Sequence, residues 1–199
     1  MSFEIPKKLE ISETEVYKKF SADIDYCVAF FEGFGQIVFR RLISFITAKN
    51  VLVLNTELID SAVQTLKSIK LCCSIGSFAD ANALIRKLRD DLILYVYILN
   101  VIDQRKPFKE DPIDIKTDNA ENFADSISKL HFNDTLSEDE KAISAWLSNN
   151  VNELPNPIKR KLEFKNYMNV LKENEHIYKI LEDYKLSDYW EKLRRSLND

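Results

Sequence analysis

Three glycines and five prolines in 199 residues leave too few turn formers for a β-sandwich or barrel, whose strands reverse at short intervals. Long helices need few reversals, so this shortage points to an all-α chain. Composition agrees: 45% hydrophobic, 30% charged and 11% aromatic residues exclude a disordered or collagen-like chain and suit a single domain over 1–199. The formal net charge of −4 argues against a general nucleic-acid coat and leaves only a local basic face.

Met1–Glu15 has no continuous apolar stretch, so no signal peptide is expected. The longest apolar run, Leu92–Leu99 extended past Asn100 by Val101 and Ile102, falls short of the roughly 20 residues of a membrane span. It reads as a helix surrounded by other helices. On that reading Leu92→Ala or Leu99→Ala costs about 2–5 kcal/mol. Cys27, Cys72 and Cys73 form an odd set without metal-ligand spacing and are expected to be reduced and packed in a cytoplasmic protein. No membrane, metal or cofactor is expected.

Helix starts are legible. Ser12 with Glu15 and Ser137 with Glu140 have capping-box spacing. Behind the first, Val16, Phe20, Ile24, Cys27, Phe31 and Val38 predict one face of a helix reaching toward Asn50, kinked or broken at Gly33 and Gly35. Val51–Leu54 reads as a short extended connector. Thr56 is expected to cap a helix stopped by Gly76, and Ser77 with Asp80 to open a central helix running to about Gln104. From Asp103 to Glu140 there are 11 acidic residues against 5 basic. The segment at about 105–136 is therefore an acidic insertion, with Arg105–Lys116 a surface loop and a short helix capped by Asp118. The second capping box opens a helix closed by Pro155 and Pro157. Tyr167, Leu171, Ile177, Ile180, Leu181 and Tyr184 predict one further helix, and Trp190, Leu193 and Leu197 a final one. The whole is a bundle of about six to eight helices around the Phe78–Gln104 helix.

Helical spacing sets Arg86 one turn before Asp90, and Lys87 one turn before Asp91, as structural ion pairs. Glu32-Gly33-Phe34-Gly35 lacks the preceding strand and third glycine of a phosphate loop. His131 and His176 carry no metal or triad spacing, and the single Glu173-x-x-His176 is not a paired di-iron motif. Arg194 and Arg195 stand close to Trp190, a pairing suited to phosphate contact with ring stacking.

Phe78–Leu92 and Trp190–Asp199 resemble two helices of the HEPN-like families of abortive-infection and toxin–antitoxin ribonucleases. The resemblance implies metal-independent RNA cleavage, with an arginine holding the scissile phosphate and a histidine moving the proton. It also implies a homodimer. Counted from Arg195, that histidine would fall at positions 200–202, past Asp199, so no catalytic residue is assigned. Arg86, Arg194 and Arg195 are the candidate phosphate or RNA contacts. Two functions follow as expectations: a HEPN-like RNA-acting or defence-associated protein, and a non-enzymatic helical module that binds a protein partner.

Overall fold

The structure, a computed structural model, describes residues 11–40, 43–47, 49–109, 119–185, 188, 189, 192 and 195. It is all-α. The helices are α1 (Glu15–Arg40), α2 (Glu57–Ser74), α3 (Phe78–Gln104), α4 (Ala120–Ser128), α5 (Glu138–Leu147), α6 (Asn156–Lys159), α7 (Phe164–Glu173) and α8 (Glu175–Asp183). Among the described residues the only sheet is an antiparallel hairpin of β1 (Ser44–Ile46) and β2 (Val51–Val53), with Phe45 opposite Leu52. Val51–Val53 of the expected extended connector is thus paired as a strand. No described helix is long and apolar enough to cross a membrane.

Two compact units form. The first takes Met1–Arg41, Asn55–Tyr95 and Lys172–Asp199; the second takes Leu42–Leu54 and Val96–Leu171. In the first, α1 packs along α2, and Val38, Ile59, Val63, Leu66, Ile69 and Ile93 are buried. Gly35 of α1 faces Ile59, where an added Cβ would sit 3.5 Å from Cγ2. In the second, Phe45, Tyr97, Ile98, Val101, Ile143, Tyr167 and Met168 are buried, and α5 packs against α6 and β2.

Several helix boundaries depart from expectation. At α1 the cap is Thr14, not Ser12. Its hydroxyl accepts from the Tyr17 amide at 3.2 Å, and Ile11–Glu13 forms a 3-10 turn instead. The helix continues through Gly33 and Gly35 and ends at Arg40 rather than near Asn50. Thr56 precedes α2, but its hydroxyl donates to Asp60 Oδ2 at 2.9 Å, so it caps nothing. Asn119 caps α4 through the Asn122 amide at 2.8 Å; Asp118 lies outside the described residues. The helix expected over Tyr167–Tyr184 is two helices. Asn174 divides them, its Oδ1 accepting from the His176 and Ile177 amides at 3.1 and 3.3 Å, the local competition that makes Asn a cap rather than a helix interior. The final helix around Trp190 lies largely outside the described residues.

Other signals hold. Ser137 and Glu140 form the full capping box of α5. Gly76 closes α2 at φ 78°, with the Ser77 amide on Cys72 O at 2.8 Å and the Gly76 amide on Cys73 O at 3.2 Å. These are the two bonds of a Schellman ending, whose left-handed residue favours glycine. A Cβ there would also meet Ile11 Cδ1 at 2.9 Å. Gly76→Ala is therefore expected to lower stability by about 1–3 kcal/mol, read from a shift in the urea midpoint at unchanged slope.

The apolar stretch of α3 is not enclosed on all sides. Ile93, Tyr95, Tyr97, Ile98 and Val101 are buried, Leu92 and Leu99 are half-buried, and Val96 is exposed. Hydropathy alone does not tell a surrounded helix from one with an open edge. The buried-leucine expectation moves accordingly: Ile98→Ala is expected to cost about 2–5 kcal/mol and Leu99→Ala clearly less, in the same denaturation assay.

Candidate functional site

The charged cluster of α3 lies in the first unit. Lys87 Nζ donates to Ser61 Oγ of α2 at 2.8 Å and pairs with Asp91, while Ser61 Oγ donates to Asp91 Oδ2 at 3.3 Å. Asp90 is held by its chain neighbour Arg89, at 2.7 Å from Nη2 and 2.8 Å from Nε, rather than by Arg86. Arg86 is half-buried and makes no ion pair among the described residues. Arg195 is exposed, and Arg194 lies outside the described residues.

Ser61 is the member that spacing along one helix could not reveal, since it comes from α2. A serine, a lysine and an aspartate within hydrogen-bond reach invite a nucleophile reading. Activation of a serine, however, requires a neighbour that accepts its proton. Here the lysine donates toward Oγ, and Asp91 is already shared with Lys87. The three groups close on one another as a clamp between α2 and α3.

Cysteine and histidine chemistry does not converge on that cluster. All three cysteines are free and half-buried. Burial, with a smaller push from neighbouring Cys72, holds the Cys73 thiol above its ordinary range, which lowers its thiolate fraction and its reactivity. His131 and His176 are exposed. No group of three His, Cys, Asp or Glu that could hold a metal occurs among the described residues.

The second unit holds a buried polar centre that the sequence did not disclose. Arg105, expected in a surface loop, is buried, with its side chain 2% exposed. Its guanidinium reaches Glu140 Oε1 at 2.7 Å, Ile46 O at 3.0 Å and Asn133 O at 2.8 Å, and lies 4.6 Å from the centre of the Phe45 ring. Nearby, Tyr97 donates to Asp139 Oδ1 at 2.6 Å, and Lys161 approaches Asp139 Oδ2 at 3.3 Å. Every polar group in this centre is matched within the unit, so it is a scaffold rather than a binding pocket.

What the molecule presents outward is the far face of α1. Tyr26, Phe30 and Ile37 are 76%, 57% and 57% exposed, and Phe30 stacks on Phe34 with centroids 6.1 Å apart. Val16, expected on the packed face, is exposed as well. Two of the acidic residues flanking the stripe are neutralised by α2: Asp25 meets Lys70 at 2.7 Å, and Glu32 meets Lys67 at 3.0 Å. A signal for this face was present in the spacing of 26, 30, 33 and 37, but the stronger periodicity of the packed face masks it. No protein-family model, curated protein or solved structure matches the chain.

Proposed function

We propose that this chain is a non-enzymatic, cytoplasmic helical module that binds a protein partner through the outer face of α1. The observation that carries the reading is the run of exposed Tyr26, Phe30 and Ile37 on one helix face. Single exposed apolar residues are ordinary on a protein surface, whereas a contiguous apolar strip, with Asp25 and Glu32 beside it already paired, marks a contact surface. Three free thiols suit a reducing compartment. The test is a photo-crosslinking side chain at position 26, irradiated in cells that express the protein. Capture of a defined protein is expected, and the absence of any adduct above that of the same probe at exposed Lys179 would defeat the reading.

A second reading keeps the HEPN-like resemblance and makes the protein RNA-acting, with Arg86, Arg194 and Arg195 as phosphate contacts. The half-buried Arg86, without an ion pair among the described residues, favours it, since such a guanidinium has donors to offer a phosphate. An RNA titration at rising salt tests it. Phosphate contacts require affinity to fall steeply with salt, and a flat response excludes them.

A further inference from the structure

We propose that the partner of the α1 outer face is a second copy of the same chain, the two α1 helices lying antiparallel with Tyr26 of each seated over Gly33 of the other. This rests on the interaction-module reading above and names its partner. The two faces match in shape. Ala22, Tyr26, Ala29, Phe30, Gly33 and Ile37 are all exposed and share one side of α1. A two-fold axis between Ala29 and Phe30 sets residues opposite one another wherever their numbers sum to 59. Ile37 then faces Ala22, Tyr26 faces Gly33, and Phe30 faces Ala29. Each large side chain meets a small one, the condition for two helices to approach closely and interdigitate.

Gly33 supplies the deepest of these recesses. Nothing lies within 4 Å of the place its Cβ would occupy, so the space above it belongs to no part of the described chain. Unlike Gly35, this glycine has no packing reason within its own unit, and a mid-helix glycine is otherwise unfavourable. Asp23 favours the antiparallel direction. Antiparallel, Asp23 lies opposite Gln36; parallel, Asp23 would face Asp23 and Tyr26 would face Tyr26, a like-charge and large-on-large clash. Asp25 and Glu32 are neutralised by Lys70 and Lys67 within each copy. Lys19 and Arg40 also sum to 59, and this like-charge pair falls at the two ends of the contact, where solvent screens it. The open residues present roughly 500 Å² per copy. The pair would then bury about 1,000 Å² in all, the lower limit for a specific interface, so a reversible dimer is expected rather than an obligate one.

Sedimentation equilibrium of the full chain over a concentration series tests this. The wild type is expected to shift from monomer to dimer mass. Gly33→Leu fills the recess and is expected to weaken association at least tenfold (roughly the weight of one lost close contact). The open space around Gly33 lets the monomer fold unchanged, as circular dichroism would verify. Tyr26→Ala combined with Gly33→Leu exchanges large for small and is expected to restore association. A wild type that stays monomeric at every accessible concentration overturns the proposal, as does a dimer indifferent to Gly33→Leu. The position-26 crosslinker separates this failure from that of the parent reading. A doubled chain joined near Gly33 supports self-pairing; an adduct with a different protein ends the self-pairing and leaves the interaction module standing; no adduct ends both.

Discussion

Arg105→Met is expected to destabilise the protein by about 3–5 kcal/mol, the cost of breaking a buried ion pair from one side. The guanidinium gathers four separate segments of the second unit: the stretch just after α3, from which it projects, Phe45 and Ile46 of β1, the loop at Asn133, and Glu140 in the first turn of α5. Methionine preserves much of the volume over the Phe45 ring but donates nothing. Glu140 is then left with a carboxylate only 16% exposed, satisfied on one oxygen alone by the Ser137 amide at 2.7 Å. Two backbone carbonyls lose their donor at the same time, and an unsatisfied buried acceptor costs about 1–3 kcal/mol. Arg105→Met with Glu140→Gln removes the stranded charge and is expected to recover a measurable part of the loss. A double-mutant cycle in urea reads this, and strictly additive losses would show that the pair is not coupled.

Tyr97→Ala is expected to cost about 3–5 kcal/mol, because it empties a fully buried aromatic site packed on Tyr167, the ring centroids 5.7 Å apart. Tyr97→Phe isolates the hydroxyl. It removes the 2.6 Å bond to Asp139, leaves that carboxylate with Lys161, and is expected to cost about 1–3 kcal/mol. Tyr95 provides the contrast. Its hydroxyl is buried with no hydrogen-bond partner among the described residues, so Tyr95→Phe is expected to be neutral or stabilising. The two tyrosines also predict alkaline behaviour. Burial, then the hydrogen bond to Asp139 and its negative charge, pushes the Tyr97 phenol above its ordinary value; burial alone raises Tyr95. A group whose pKa is raised by folding contributes stability fully present below its unfolded value. That contribution is lost as pH climbs from about 10 toward the folded value. The wild type should therefore lose stability steeply above pH ~10, and Tyr97→Phe should lose less over the same interval. Parallel curves for the two proteins would show that Tyr97 is not the group being forced to ionise.

Local features of the chain were readable from its order of residues. The scarcity of glycine and proline, the 3–4 periodicities, the capping box at Ser137 and the Gly76 ending determine an all-α chain and many of its helices, because each depends on residues within one or two turns. Where competing caps stood side by side, as at Ser12 and Thr14 or at Asn174, pattern could not choose between them, since the choice is a matter of about 1 kcal/mol in local geometry. Tertiary structure decided the rest. Arg105 sits among prolines and charges that read as surface, and only the convergence of Ile46, Asn133 and Glu140 makes it interior. Ser61 joined Lys87 and Asp91 because α2 lies beside α3, and Arg89 displaced Arg86 from Asp90. The two apolar faces of α1 are nearly alike in sequence; packing against α2 covers one and leaves Tyr26, Phe30, Gly33 and Ile37 open. A side chain's own chemistry says what it needs, but which partners arrive from distant segments is set only when the chain has folded.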